Sequence, residues 1–300
     1  MTPADTPAGG RTTLQVQVED SPERMTAAVR AARAAGRRVG FVPTMGALHA
    51  GHASLVEAAA AACDDVVVSI FVNPTQFGPQ EDFSRYPRPL AADLALLGSL
   101  GVRWAFTPSV AGMYPDGQAA GVSVGGPAEP FEGAMRSGHF AGVATVVKRL
   151  FEIVPADVAF FGAKDWQQTR VISRLVHDHA IPVEIVVCPT VREPDGLALS
   201  SRNAYLTPAE RARAVALHAG LTAAEASWTA GESVAAAAAA LRQALEARDI
   251  ACDYAAIVDS ESLAPLRDPR GPAVALVAGR LGTTRLIDNR LLPARRSGAH

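Results

Sequence analysis

The sequence is short of several things that would direct it to a particular class of protein. It has three cysteines, Cys63, Cys188 and Cys252, far apart and in no metal-ligand spacing. An odd, sparse set argues against a disulfide framework and suits a reducing compartment, where such thiols pack as small apolar residues. No run of Lys and Arg exceeds a pair, and the formal net charge is −2, so no nucleic-acid partner is expected. No stretch approaches the ~18 uninterrupted apolar residues of a membrane span, and the N-terminus lacks the apolar centre of a signal peptide. The expectation is a cytoplasmic protein with no membrane partner. There is no internal repeat. Also missing are a G-x-x-x-x-G-K-[ST] P-loop and a G-x-G-x-x-G fingerprint, so any nucleotide must be held by other means.

What is present is a chain of 300 residues, 49% hydrophobic and 19% charged. That is enough apolar surface for a large core, and the length favours two domains. Residues 1–13, rich in Pro, Gly and Thr, read as a loose arm. Short apolar runs follow at 39–42, 66–72, 158–161 and 183–187. They do not alternate polar with apolar, which marks strands of a parallel sheet buried on both faces. Helical patterns lie at about 51–62 and 165–179, giving a doubly wound, Rossmann-like α/β domain over 1–190. The Gly- and Pro-rich stretch 112–142 reads as a long loop or lid.

The remainder, 191–300, reads as a smaller C-terminal α+β domain. Thr207-Pro208-Ala209-Glu210 is a capping box that opens a helix toward Trp228. An alanine-rich helix spans about 232–248, and short strands are expected near 254–258, 274–277 and 285–287.

The turns after the four strands carry the chemistry. In open parallel sheets, ligands bind at the carboxyl ends of strands. The first turn continues into Met45-Gly46-Ala47-Leu48-His49-Ala50-Gly51-His52, where a helix starts. A helix N-terminus offers unpaired N–H groups and a positive dipole end, which suit phosphate. Glycines allow close backbone approach, and His49 and His52 can donate to phosphate oxygens or, if protonated, offset charge on a leaving group. No further ligand stands near them to complete a zinc set. Gly162-Ala163-Lys164-Asp165 places a lysine where a strand meets its helix. Asp195-Gly196-Leu197-Ala198-Leu199-Ser200-Ser201-Arg202-Asn203 places hydroxyls beside an arginine, a pattern that clamps phosphate with directional donors. Gln76 and Gln168 are neutral donors suited to the hydroxyl or carboxylate groups of a small substrate. Arg136 and His139 lie in the 112–142 stretch and are candidates to face the ligands.

Taken together these residues resemble the pantothenate synthetase family of the nucleotidylyltransferase superfamily, whose His-x-Gly-His signature is His49-Ala50-Gly51-His52. The resemblance covers 43–55, 71–78, 86–88, 139–143, 160–168, 192–206 and 285–289. It implies an ATP-dependent ligase that condenses pantoate with β-alanine through a pantoyl-adenylate, releasing AMP and pyrophosphate, with a Mg²⁺ requirement and a homodimeric state. By position it implies ATP contacts from Met45, Gly46, Ala47, Leu48, His49, Ala50, Gly51, His52, Gly162, Ala163, Lys164, Asp165, Val191, Leu199, Ser200, Ser201 and Arg202. It also implies pantoate contacts from Gln76 and Gln168, with Gln76 near β-alanine, and assigns His52 as proton donor. His49, His52, Lys164, Ser200, Ser201 and Arg202 are the candidates for stabilising the departing pyrophosphate. The sequence departs from the family pattern at Ala163, often glutamate, and at Leu199, often methionine. No Mg²⁺ ligand is legible; Asp93 is the one acid considered. The alternatives are another nucleotidyltransferase, or a nucleotide-binding regulatory protein without catalysis.

Overall fold

The structure is a computed structural model that describes residues 16–78, 82–117 and 121–295. The expected arm at 1–13 lies outside the described residues, as do residues 118–120 of the expected lid. In chain order the first part of the fold comprises β1 (Gln17–Glu19), α1 (Pro22–Ala34), β2 (Val39–Thr44), α2 (Ala50–Ala62) and β3 (Asp65–Ile70). Then come α3 (Leu90–Ser99), β4 (Trp104–Phe106), α4 (Val110–Met113), α5 (Glu132–Met135), α6 (His139–Ile153), β5 (Val158–Gly162), α7 (Trp166–Asp178) and β6 (Glu184–Cys188).

These strands form one six-stranded sheet in the order β1-β4-β3-β2-β5-β6, every pairing parallel. The continuous apolar runs have the reason expected of them. Side chains alternate between the two faces of a strand, and both faces are covered. Phe41, Val67, Phe106, Ala159 and Phe161 share a core with Met25 and Val29 of α1, Val143 and Leu150 of α6, and Ile172 of α7. Val42, Val66, Val68, Ala105 and Phe160 pack instead with Leu55 and Val56 of α2 and Leu97 of α3.

The second part comprises α8 (Pro208–Ala214), α9 (Ala216–Thr229), α10 (Val234–Glu246), β7 (Ala251–Asp259), β8 (Ala273–Leu281) and β9 (Thr284–Leu292). The capping box forms as expected: the Thr207 hydroxyl accepts from the Glu210 amide, and the Glu210 carboxylate accepts from the Thr207 amide. The helix it opens stops at Ala214 and a separate one continues to Thr229. The three strands pair antiparallel in sequence order. One face of this small sheet packs against Leu217, Leu221 and Trp228 of α9 and Leu241 of α10. The other face, through Val258, Val274 and Leu276, packs on Trp166 at the start of α7. The C-terminal sheet is thereby set against the turn that carries Lys164.

The 112–142 stretch is not one loop. It holds a 3-10 turn at Gly126–Ala128, then α5, and α6 already begins at His139. Its Gly142 is inside a helix because two backbones meet there. A Cβ at that position would lie 2.3 Å from the carbonyl oxygen of Thr75.

Candidate active site

The strand order reverses between β2 and β5, and there the sheet opens. β2 stays paired with β3 over six positions but with β5 only at Gly40↔Val158 and Phe41↔Ala159. Beyond Phe41 the two strands diverge, and Pro43, which has no N–H to donate, sits where β5 asks for none. The resulting cleft, at the carboxyl ends of the strands, has a volume of about 250 Å³.

One wall is the histidine turn. Gly46 and Ala47 both take positive φ, 79° and 51°. Glycine adopts that region freely; alanine does so at a cost of ~1 kcal/mol or more. What holds the turn is Asp93 of α3. Its Oδ2 accepts from the Ala47 amide at 2.9 Å and its Oδ1 from the Leu48 amide at 2.8 Å. The carboxylate is 2% exposed, and a Cβ on residue 46 would lie 3.0 Å from its Oδ2. Asp93, considered from sequence as a metal ligand, is instead taken up by backbone amides.

The same turn fixes the tautomer of each histidine. The Gly51 amide donates to Nδ1 of His49 at 3.1 Å, and the His49 amide donates to Nδ1 of His52 at 3.3 Å. An amide can only donate, so both Nδ1 atoms carry lone pairs and the ring proton of each neutral imidazole sits on Nε2. The rings lie together, centroids 4.2 Å apart. Burial, with the positive charge of Lys164 adding to it, lowers the pKa of His49. Burial, and then the neighbouring His49, pushes that of His52 down to about 3. The pair therefore presents two neutral Nε2–H donors at neutral pH, which favours the hydrogen-bond-donor role over the alternative of a protonated histidine.

A pH dependence follows. Between about 6.5 and about 3 an unfolded chain protonates residue 52 while the folded one does not. The unfolded state then binds more protons, so stability rises with pH across that window, by up to ~1.4 kcal/mol per unit. Chemical denaturation of the wild type and of His52→Gln at pH 6.5, 5.5 and 4.5 should show the wild type losing stability more steeply on acidification. Parallel curves would exclude a buried neutral His52.

The facing wall comes from β5. Lys164 stands in a 3-10 turn between β5 and α7, with its side chain 20% exposed and its Nζ 3.7 Å from Asp165 Oδ1. Asp165 occupies the cap position of α7 but its side chain bonds no helix amide, so capping does not account for it. This turn is gripped from the C-terminal sheet: Asn289 Nδ2 donates to the carbonyls of Ala163 at 2.8 Å and Lys164 at 2.7 Å. Asp288, next to it, takes both terminal nitrogens of Arg192 at 2.6 and 2.9 Å.

Arg192 begins the loop that delivers the third group. The Leu199 amide donates to the Val191 carbonyl at 3.0 Å, closing the loop. Ser200 Oγ accepts from the Arg202 amide at 3.2 Å and starts a 3-10 helix, Ser201–Tyr205. Ser201 Oγ lies 3.5 Å from the hydroxyl of Tyr86.

The two glutamines also line the cleft. Gln76 follows Asn73, whose side chain is a hub: Oδ1 accepts from the Thr75 hydroxyl and the Tyr114 hydroxyl, and Nδ2 donates to the Gly142 carbonyl and to Gln76 Oε1. Gln76 Nε2 points at the Met45 sulfur, 3.1 Å away. Gln168, in the first turn of α7, also lines the cleft. Arg136 Nη1 donates to His139 Nε2 at 2.9 Å, which leaves the His139 Nδ1 proton for the carbonyl of Gln76, also at 2.9 Å.

Of the residues singled out from sequence, Met45, His49, Gly51, His52, Gly162, Lys164, Asp165, Val191, Leu199, Ser200, Ser201 and Arg202 line one cleft together with Gln76, Gln168, Arg136 and His139. Gly46, Ala47, Leu48, Ala50 and Ala163 do not line it. Gly46, Ala47 and Leu48 shape the turn, Ala50 is exposed, and Ala163 packs beside Trp166. Sequence reasoning gave Asp93 and Asn289 no role as supports and did not single out Tyr86 as a lining residue, whereas Asn73 opens one of the strand-end turns and lines the cleft.

The sequence model of pantoate–β-alanine ligase matches residues 17–291. The chain belongs to the pantoate–β-alanine ligase family. A pantothenate synthetase of Acidiphilium cryptum is 56% identical over 265 residues, 87% of this chain and 95% of that one. A pantothenate synthetase of Roseiflexus castenholzii is 54% identical over 268 residues, 88% of this chain and 96% of that one. The crystal structure of pantothenate synthetase from Thermus thermophilus superposes with a TM-score of 0.88 at 49% identity, covering 93% of this chain and all of that one. The pantoate–β-alanine ligase of Francisella tularensis, solved in complex with βγ-ATP and β-alanine, gives 0.77 at 34% identity, covering 92% and 97%. The protein is thus an enzyme that joins pantoate to β-alanine with the use of ATP. Another nucleotidyltransferase, or a regulatory protein without catalysis, gives way to this assignment.

Proposed function

We propose that the cleft carries out the ligation in two steps through a pantoyl-adenylate, with the roles divided by wall. A carboxylate does not acylate an amine at neutral pH unless it first gains a leaving group. In the first step a pantoate carboxylate oxygen attacks the α-phosphorus of ATP, and the bond to the bridging oxygen breaks with its electron pair going to pyrophosphate. The Nε2–H groups of His49 and His52, the ammonium of Lys164, the hydroxyls of Ser200 and Ser201 and the guanidinium of Arg202 meet the charge that grows there. His52 acts in this reading as a hydrogen-bond donor. In the second step the β-alanine nitrogen attacks the acyl carbon, the bond to AMP breaks, and the nitrogen loses a proton. Gln76 and Gln168 orient pantoate, Gln76 beside the β-alanine position, so that the rate comes from positioning and electrostatics.

The observation that supports this reading most is the meeting of two backbone-fixed histidine donors with Lys164, Ser200, Ser201 and Arg202 in one cleft that the two glutamines also line. Mg²⁺ fits as a companion of the nucleotide. Among the described residues no three His, Cys, Asp or Glu side chains gather into a metal cage. Mg²⁺ commonly keeps several waters and is bound through substrate phosphates plus one or two carboxylates. Among the described residues Asp165 is the carboxylate lining the cleft, and it would hold the ion there; the ion's contribution when bound is to neutralise phosphate charge.

We also place the domain boundary at 190/191: β6 ends at Cys188, and the second core begins to take members at Leu197. A homodimer rests on the family resemblance. A cytoplasmic location is supported by three free cysteines, buried or half-buried. Among the described residues, no helix is long and apolar enough to cross a membrane.

The test is a pair of assays on one preparation. Pantoate alone should support pyrophosphate–ATP exchange, and AMP release should need pantoate and β-alanine together. Folded protein that ligates but shows no pantoate-dependent exchange rules out the adenylate route.

A further inference from the structure

Next to the reacting cleft, a carboxylate of the larger part of the fold is ligated wholly by the smaller part. Glu132 opens the one-turn helix α5 and is 5% exposed. Its Oε2 accepts from Arg285 Nη1 at 2.6 Å and its Oε1 from Arg285 Nη2 at 2.7 Å. The Tyr254 hydroxyl adds a third bond to Oε1 at 2.8 Å. Arg285 belongs to β9 and Tyr254 to β7, and Asp253 of β7 braces the arginine through its Nε at 2.6 Å. Burial, followed by the Glu132 charge, raises the pKa of Tyr254, so the phenol keeps the proton it donates.

The rest of the segment is tied down as closely. The Glu132 amide donates to Gln167 Oε1 at 3.0 Å, while Gln167 Nε2 holds the carbonyls of Pro127 and Pro130 at 2.8 and 2.6 Å. Phe131 takes a positive φ of 51°, unfavourable for an aromatic residue, with its ring 5.1 Å from that of Tyr254. A strained residue persists when its surroundings over-determine it. One turn further on come Arg136, whose amide bonds the Glu132 carbonyl at 2.9 Å, and His139, whose amide bonds the Arg136 carbonyl at 3.0 Å. These two side chains enter the cleft beside Gln76 and Gln168. The single turn of α5 is unstable alone, so what directs Arg136 comes from outside it, while His139 at the start of α6 is anchored on the Gln76 carbonyl.

We propose that Glu132, held by Arg285 and Tyr254, is a positioning residue that aims Arg136 and His139 at the pantoate end of the cleft. The C-terminal sheet thus sets the site for the organic acid as well as bracing the Lys164 turn. The inference rests on the reading of the cleft given above for where pantoate lies. Bidentate geometry is the point: a lysine at 285 keeps the charge and loses the second bond.

The test uses pyrophosphate–ATP exchange by the full chain, with Glu132→Gln, Arg285→Lys and Tyr254→Phe compared at a temperature where thermal melts show each folded. The expected result is a roughly tenfold rise in KM for pantoate in the first two, with KM for ATP within twofold of wild type. Tyr254→Phe, which keeps the ring against Phe131, should move KM the same way by less. Introduced into an Arg136→Ala background, Glu132→Gln should add little, because residues acting as one unit are not additive. Equal rises for ATP and pantoate, no rise in any of the three, or full additivity with Arg136→Ala would each reduce Glu132 to a structural role. Exchange by the wild type that does not depend on pantoate would instead overturn the reading of the cleft.

Discussion

Lys164→Ala is expected to lower the single-turnover rate of pantoyl-adenylate formation by about a thousandfold while leaving the melting temperature within a few degrees of wild type. Removing one preorganised donor from a developing negative charge costs ~10²–10³ in rate, and a full cation in a sheltered cleft belongs at the upper end. The fold has little at stake in the ammonium. Its charged neighbour is Asp165 at 3.7 Å, and what fixes the turn is the pair of backbone carbonyls that Asn289 holds. Those carbonyls survive the substitution. Quenched-flow detection of the adenylate, with ATP and pantoate saturating, separates chemistry from binding. Normal adenylation by Lys164→Ala would remove this residue from the reaction and leave Arg202 as the principal cation.

The second large effect is expected at Asp93. Asp93→Ala should destabilise the protein by ~3–5 kcal/mol, since two bonds from backbone amides to a charged group are lost together. Exchange should also collapse at temperatures where the variant is still folded. Without the carboxylate, Ala47 has no reason to remain at φ 51°, and the helix start that fixes both imidazoles relaxes with it. Asp93→Asn should rescue little. Its amide can accept one of the two N–H groups and must turn an N–H of its own toward the other. Raising Mg²⁺ distinguishes this account from a metal-ligand role. A ligand mutant recovers rate at high Mg²⁺, whereas a collapsed turn does not.

Asp93 also shows where sequence reading stops. The histidine turn announces itself, because two histidines, two glycines and a helix start lie within eight residues. The group that holds the turn lies 45 residues beyond Leu48, on a helix that looks like any other. Asn289 is more remote still, 125 residues from Lys164. Local patterns fix which side chains can do chemistry; only the folded chain shows what aims them. The same division appears in the sheet. β2, β3 and β5 are visible as apolar runs because both faces are covered, and the edge strand β6 is visible as one although its residues are mostly half-buried. β1 and β4, three residues each, are too short to leave a run and exist through their pairing. The 112–142 stretch misleads for a related reason. Its glycines suggest a loop, yet Gly142 is there so that α6 can touch the backbone carrying Gln76.

The grip of Asn289 on the Lys164 turn has a consequence for how the enzyme comes into being. Synthesis runs from the N-terminus, and domains generally fold as they emerge. The parallel sheet, the histidine turn and the Ser200-Ser201-Arg202 cluster are all made before β9, the last strand of the described fold. Until that strand docks, Ala163 and Lys164 lack the partner of their carbonyls, and Glu132 lacks Arg285. A nascent chain therefore has the histidine turn and the Ser200-Ser201-Arg202 cluster before it has the groups that brace the Lys164 turn. Completion of the cleft is thereby tied to the last strand, and a chain cut short in β9 leaves both the Lys164 turn and Glu132 without these partners.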